Sequence, residues 1–186
     1  KDTIKIGVAF EPDRMDPQLS QGGGGWTPNM IIWNRLVEYD NTMMDPIPSV
    51  AESWENSDGG KLWTFKIRKG LKFHSGRELT AADVEYSFKR GFEIGPKGRF
   101  AGYMIAVDTY KAKSPYVFEV RLKQVDVTFL ANLAVGSASI VDKETIDEIQ
   151  IKPTTQKPII QIERDCIRLH RQGIAFSTKM GSSENF

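Results

Sequence analysis

The segment from residue 62 to residue 90 constrains the fold more than any other part of the chain. It opens with alternating aromatic or aliphatic and polar residues over Trp63–Ile67, a pattern typical of a strand with one buried face. A glycine turn follows, and Thr80 then precedes apolar residues at helical spacing. We therefore predict a strand, a turn and a helix that begins after Thr80 and ends at Gly91.

Weaker patterns of the same kind predict further elements on both sides of this segment. They are a strand over Thr3–Phe10, a helix over Met30–Val37, a hairpin of Tyr103–Lys111 with Phe118–Leu122, a short helix from Phe129, a strand over Ala138–Val141 and a helix opened by Asp142. Helices and strands alternate in this order, so we expect an α/β fold.

Composition removes several classes of function. Hydrophobic residues make up 40% of the chain and the net charge is +1, so a folded core is expected and a nucleic-acid or anionic membrane partner is not. The single cysteine and two histidines predict neither an internal disulfide nor a metal site, and we expect no cofactor. The sequence starts at Lys1 without an apolar leader, so we expect a processed or cut chain.

Three segments in a fixed order carry a family resemblance. They are Leu36-Val-Glu-Tyr-Asp40, Pro48-Ser-Val-Ala-Glu-Ser-Trp54 and the segment 62–90, which contains Phe73-His-Ser-Gly76. Together they closely resemble the extracellular solute-binding proteins of ABC importers of the peptide and nickel type, family 5. Met15-Asp-Pro17 and the segment 116–134 fit the same family.

The resemblance covers roughly residues 3–145 and implies a fold. It is the incomplete first lobe of a type II periplasmic-binding-protein-like fold, with a mixed sheet and an inserted α+β subdomain. We expect residues 1–45 to form part of the lobe base, 46–125 the inserted subdomain and 126–149 the return to the base. Residues 150–186 depart from the family pattern, and we expect a helix over 158–172 followed by disorder.

The function implied is capture of an oligopeptide, dipeptide or similar solute, including a nickel complex, for import. The expected partners are the solute and the membrane subunits of an ABC permease, with no nucleic acid. We expect a monomer without enzymatic activity, in the periplasm or on the outer face of the cytoplasmic membrane.

The same resemblance places candidate ligand-binding residues in three loops. They are Ser20, Gln21, Gly22, Gly23, Gly24, Gly25 and Trp26 in the first loop, Tyr103 in the second and Ser137 in the third. The four glycines leave main-chain groups open for pairing with an extended peptide. Each of these residues also has a purely structural interpretation, such as Trp26 anchoring the helix that follows it.

Two functions from other classes remain open. A hydrolase would be built around His74, with Ser75 and Asp83 as partners, because a catalytic base needs a nucleophile and an acid within hydrogen-bond reach. A truncated interaction module that binds no solute is the other. Cys166 and His170 share a helix face, but two ligands do not make a metal site.

Overall fold

The structure is a computed structural model that describes residues 16–20, 29–30, 32–40, 42 and 45–150, with the backbone alone for 147–150. Three predicted features lie outside the described residues. They are the strand Thr3–Phe10, residues Gln21–Trp26 of the ligand loop, and the tail after Gln150 with Cys166 and His170.

The described chain alternates short strands and helices. In order they are β1 (Val37–Tyr39), β2 (Pro46–Pro48), β3 (Ala51–Ser57), β4 (Leu62–Ile67), α1 (Ala81–Ile94), α2 (Phe100–Tyr103), β5 (Val107–Ser114), β6 (Val117–Leu122), α3 (Phe129–Leu133) and α4 (Lys143–Gln150). Short 3-10 turns occur at Asp58–Gly60, Gly95–Lys97 and Gly136–Ala138.

Four of the strands form one antiparallel sheet in the order β3-β4-β6-β5. β4 lies in the middle because it pairs with β3 on one side and with β6 on the other, where Phe65 lies opposite Phe118. β5 and β6 form the predicted hairpin. The remaining two strands, β1 and β2, make a separate antiparallel pair that joins Val37 to Pro48.

Helix α1 packs against this sheet and completes the core. Phe88 of the helix contacts Phe118 of β6 with ring centroids 5.0 Å apart, and it contacts Phe100 at 5.1 Å. Phe65, Ile67, Val84 and Val120 are also fully buried, as the alternation in the sequence predicts, whereas Trp63 is partly buried beside them. The aromatic strand and the capped helix therefore form one packed unit.

The end of α1 differs from the prediction. The helix continues through Gly91 to Ile94, and Gly95 ends it with a positive φ of 56°. Gly91 is needed for packing instead, because a Cβ at this position would lie 2.5 Å from Cδ1 of Phe100. Gly91 lets the Phe100 ring approach the helix backbone. In the sequence alone, a glycine at this position looks the same as one that ends a helix.

Three other predicted elements differ from the structure in their bounds or their type. Helical backbone occurs at Asn29, Met30 and Ile32, but Val37 begins a strand instead of continuing the helix. Tyr103 ends the helix α2 instead of starting a strand, and Ile105 is 75% exposed. The segment Ala138–Val141 forms no strand, because it completes a 3-10 turn and then runs extended into α4.

The segment 136–142 crosses the chain near residues 29–35 at the base of the fold. The amide of Ile140 donates to the carbonyl of Asn34 at 2.8 Å. Trp33 packs with Val141 and Ile146 in a small second core. Within the part of the chain that the structure describes, no helix is long and apolar enough to cross a membrane.

Candidate functional site

The predicted ligand loop is held at its first residue by a tight turn. The amide of Ser20 donates to the carbonyl of Asp16 at 2.9 Å, and the amide of Gln18 donates to the Asp16 carboxylate at 3.0 Å. Ser20 itself is half-buried. The turn 16–20 therefore fixes the point at which the chain enters the glycine-rich segment.

Arg90 of α1 fixes this turn to the scaffold. Its guanidinium pairs with the Asp16 carboxylate at 2.5 Å and donates to Oε1 of Gln18 at 2.6 Å. The amide nitrogen of the Gln18 side chain donates in turn to the carbonyl of Ser87 at 2.8 Å. Gln18 is fully buried, so the two bonds of its side chain lie away from water.

The other end of the loop leads into the base of the fold beside the third predicted site. Asn29 is 2% exposed, and the next residue, Met30, has its sulfur 3.8 Å from where a Cβ on Gly136 would lie. Ser137 follows Gly136 and is 7% exposed. The structure therefore places Met30, which follows the predicted loop in sequence, near Gly136 and its neighbour Ser137.

Four buried side-chain atoms in the described residues lack a hydrogen-bond partner, and all four lie around this region or the turn. They are Oδ1 of Asn29, Nε of Arg35, Oγ of Ser137 and Nε of Arg90. Buried polar groups are normally paired, so an unpaired hydroxyl such as that of Ser137 calls for an explanation. Burial also lowers the pKa of Arg35, against the opposing effect of nearby Glu38.

The segment 136–142, which carries Ser137, is bonded at its C-terminal end to α1 and to the turn before α1. The Ser87 hydroxyl accepts a hydrogen bond from the amide of Val141 at 3.0 Å and donates to the carbonyl of Asp83 at 2.7 Å. The buried carboxylate of Asp142 accepts from Arg77 at 2.5 Å and from the Ser75 hydroxyl at 2.8 Å. These bonds define the position of residues 136–142 relative to the helix.

Arg77 bridges the carboxylates of Asp83 and Asp142. Its guanidinium also pairs with Asp83 at 2.6 Å, and it lies 4.8 Å from the ring centroid of Phe73. Partial burial acts to lower the pKa of Arg77, but hydrogen bonds to Asp83 and Asp142 outweigh it and raise the pKa above its ordinary value. The cation is thus a permanent structural link between the glycine turn, α1 and the segment 136–142.

Tyr103 lies at a different point of the scaffold. Its carbonyl accepts a hydrogen bond from the side-chain amide of Asn132 in α3 at 3.1 Å, and its ring packs partly buried against the main core. The bonds described above for residues 16–20 and 136–142 do not involve Tyr103. Its assignment as a ligand residue stays a prediction.

The residues of the hydrolase alternative have structural partners. The Ser75 hydroxyl donates to Asp142, and the Asp83 carboxylate accepts from the amide and the hydroxyl of Thr80 and from Arg77. His74 is exposed in the same turn. Both carboxylates are bound to Arg77, which gives each of them a structural role in joining the turn to the rest of the fold. Among the described residues, no group of three His, Cys, Asp or Glu side chains is placed to hold a metal ion.

Sequence reasoning missed the scaffold residues that hold these loops. Asp16 and Arg90 each lie in a segment that carries the family resemblance, but nothing in the sequence alone pairs them. Nothing in the sequence pairs Arg77 with Asp142 either, and Asp142 lies outside the quoted segments. Opposite charges in two separate resembling segments were the available signal, and it becomes specific only when the fold brings the segments together.

Comparison with known proteins identifies one family. The family model described as bacterial extracellular solute-binding proteins, family 5 Middle, matches residues 45–160, more than half of the chain. Among curated proteins, the dipeptide-binding protein of Escherichia coli K12 is 32% identical over 164 residues. Heme-binding protein A of Haemophilus influenzae is 34% identical over 168 residues.

The solved structures have the same fold. The ABC transporter-associated periplasmic binding protein DppA of Helicobacter pylori, in complex with the peptide STSA, superposes with a TM-score of 0.66 at 26% identity over 76% of this chain. The architecture is thus that of a type II periplasmic binding protein, of which this chain represents a part.

The chain spans about a third of the length of these relatives. The match covers 78% of this chain but 31% of the E. coli protein, and 79% of this chain but 29% of the H. influenzae protein. The H. pylori structure gives the same picture, with 31% of that chain covered. These relatives bear the names of binding proteins and carry no enzyme name.

Proposed function

The chain belongs to the bacterial extracellular solute-binding proteins of family 5, and we propose that it forms the first-lobe wall of a site that captures a peptide-like solute. In this proposal the wall consists of the loop Ser20–Trp26, the residue Ser137 and the overhanging Tyr103. The captured solute is delivered to an ABC permease on the outer side of the cytoplasmic membrane. No covalent reaction takes place.

The unpaired hydroxyl of Ser137 is the observation that carries this proposal. Ser137 lies beside the exit of the loop, is nearly buried and has no hydrogen-bond partner in the described part of the chain. Leaving a buried polar group unpaired costs about 1–3 kcal/mol, so it is retained most readily where a ligand supplies the partner. A peptide offers main-chain N–H and C=O groups that a hydroxyl can accept from or donate to.

The peptide class is favoured by the names of the relatives. The E. coli relative is named for dipeptides and the H. pylori structure contains a peptide, whereas the H. influenzae relative is named for heme. The glycine-rich loop of this chain agrees with a peptide, because bare main-chain groups pair with an extended strand.

A chimera tests this function directly. It joins this chain to the part of the E. coli dipeptide-binding protein that the match leaves uncovered, which supplies a second lobe. Calorimetry with di- to pentapeptides on the chimera should give saturable binding at micromolar concentration. A correctly folded chimera, judged by circular dichroism and a cooperative melt, that binds none of these peptides would contradict the proposal.

Two serine variants sharpen the test. Ser137→Ala removes a hydroxyl without a partner, so we expect unchanged stability and an affinity weakened by about tenfold. Ser139→Ala removes a hydroxyl that donates to the carbonyl of Gly136 at 2.7 Å, so it is the matched control. We expect it to lower stability and leave affinity unchanged. The opposite pattern would place Ser137 outside the site.

A further inference from the structure

Arg90 joins parts of the chain that are far apart in sequence. Its side chain is 10% exposed and the Asp16 side chain 12%, with 2.5 Å between the paired atoms. A second nitrogen of the same guanidinium donates to Gln18. Exposed ion pairs contribute little to stability, whereas a buried, multiply bonded arginine fixes geometry as well as charge.

Both ends of the Gln18 side-chain amide are used. Its oxygen accepts from Arg90, and its nitrogen donates to the carbonyl of Ser87, 69 residues along the chain. Ser87 also holds the segment that carries Ser137, through the bond of its hydroxyl with Val141. One turn of α1 therefore positions both sides of the proposed wall.

Gly98 lies in close contact with the main chain of the same turn. A Cβ at Gly98 would overlap the carbonyl oxygen of Gln18 and would also approach Cγ2 of Ile94. The main chain of residues 95–98 thus lies directly against the turn 16–20. The position of the turn is determined by two independent contacts, one ionic and one steric.

We propose that Arg90 and Gly98 are positioning residues for solute binding, which act by fixing the Asp16–Ser20 turn and hence the position of Ser20 in the proposed wall. This inference rests on the proposed function. Within the described residues, Arg90 and Gly98 contact Asp16 and Gln18, and Asp16 in turn accepts the amide of Ser20, so both residues act on the proposed site through the turn.

The first test is hydrogen exchange on the chain itself, followed by mass spectrometry. The amides of Gln18, Leu19 and Ser20 all donate to Asp16. We expect Arg90→Gln and Gly98→Ala each to speed exchange of these amides by about tenfold, with β4 and α1 unaffected, because only a local opening becomes easier. Arg90→Lys retains one of the donors and should give an intermediate rate.

Two matched control variants distinguish local opening of the turn 16–20 from a general loss of stability. Arg121→Gln breaks an exposed pair with Asp58, and Gly102→Ala adds a Cβ at a position with no atom within 4 Å. Neither should change exchange at residues 18–20. Unchanged exchange in Arg90→Gln, or equal acceleration along the whole chain, would overturn the positioning role.

The second test is affinity in the chimera. We expect Arg90→Gln and Gly98→Ala to weaken peptide binding by about tenfold or more at temperatures where the chimera stays folded. A residue of purely structural importance would lower the melting temperature and leave the dissociation constant of the folded protein unchanged, and that result would overturn the inference. A parent chimera that binds no peptide refutes the proposed function instead, and the exchange experiment still decides on Arg90 and Gly98.

Discussion

At the scale of single residues, Arg77 holds together two carboxylates that are nearly removed from water. The side chains of Asp83 and Asp142 are 6% and 0% exposed, and that of Arg77 is 28% exposed. Removing one partner of a buried ion pair leaves an uncompensated charge, which is far more costly than losing an exposed pair.

We therefore expect Arg77→Met to lower the free energy of unfolding in urea by about 3 kcal/mol, at the lower end of the range for buried pairs because Arg77 is partly hydrated. Lys66→Met is the control, since Lys66 is 64% exposed and its pair with Glu52 should contribute less than about 1 kcal/mol. Equal losses of unfolding free energy in the two variants would show that the ion pairs of Arg77 stabilise the protein no more than an exposed pair.

A second residue makes stability depend on pH. The Glu78 carboxylate accepts hydrogen bonds from the Tyr116 hydroxyl at 2.9 Å and from the amide of Gly70 at 3.1 Å. These two bonds lower the pKa of Glu78, the tyrosine bond most strongly. A carboxylate with a lowered pKa in the folded state stabilises the protein above its ordinary pKa, and the contribution is lost as the pH falls through the lowered value.

We expect Glu78→Gln to lower the melting temperature at pH 6 and to have a smaller effect at pH 3, because the contribution of the carboxylate is lost as the pH falls through its lowered pKa. Melting curves at both values measure the difference. Glu55→Gln, on the exposed side of β3, is the control and should show little effect at either pH. A Glu78→Gln effect of the same size at pH 3 would contradict this linkage.

At the scale of elements, the aromatic side chains of β4 pack against each other and against α3. Phe65 stacks with Trp63 at 6.5 Å and contacts Phe129 of α3 edge-on at 6.4 Å. We expect Phe65→Ala to cost ~3–5 kcal/mol of stability and to lower the melting temperature by at least about 6 °C. Val127→Ala, at a 92% exposed position, should shift it by less than about 2 °C. A small shift for Phe65→Ala would mean that this face is not a core.

Helix α1 depends on a glycine in its middle. Alanine has the higher helix propensity, so propensity alone predicts that Gly91→Ala stabilises the protein. The structure predicts the opposite, a loss of about 1–3 kcal/mol in chemical unfolding, because the new methyl group would overlap the Phe100 ring. Gly102→Ala, in open space, should remain within about 0.5 kcal/mol of the parent. Stabilisation by Gly91→Ala would show that the ring moves aside freely.

The elements were predicted best where one signal acted alone. Alternation of apolar residues located β4 and β6, and the Thr80 cap located the start of α1. Prediction failed where tertiary contacts decide the local structure, as at Gly91 and Tyr103. The candidate site was predicted only as loops, because the pairs that hold it, such as Arg90 with Asp16, join segments that no local pattern connects.

At the scale of the whole molecule, the chain spans about a third of the length of its relatives, and in the proposed function it supplies only one wall of the solute site. A solute against one wall keeps half its hydration and buries little apolar area. We expect calorimetry on this chain alone, with di- to pentapeptides, to give no signal at micromolar concentration. In the chimera, Trp26→Ala should weaken binding by ~1–3 kcal/mol if the indole contacts solute. Saturable micromolar binding by the chain alone would contradict the need for a second wall.

The order of strands in the sheet also determines how the chain must fold. β5 and β6 are neighbours in sequence and can form a hairpin within microseconds. The pairing of β4 with β6 joins Phe65 to Phe118 and encloses all of α1, so a long loop must close before this contact contributes. We therefore expect the hairpin to form first and the central pairing of β4 with β6 to follow more slowly.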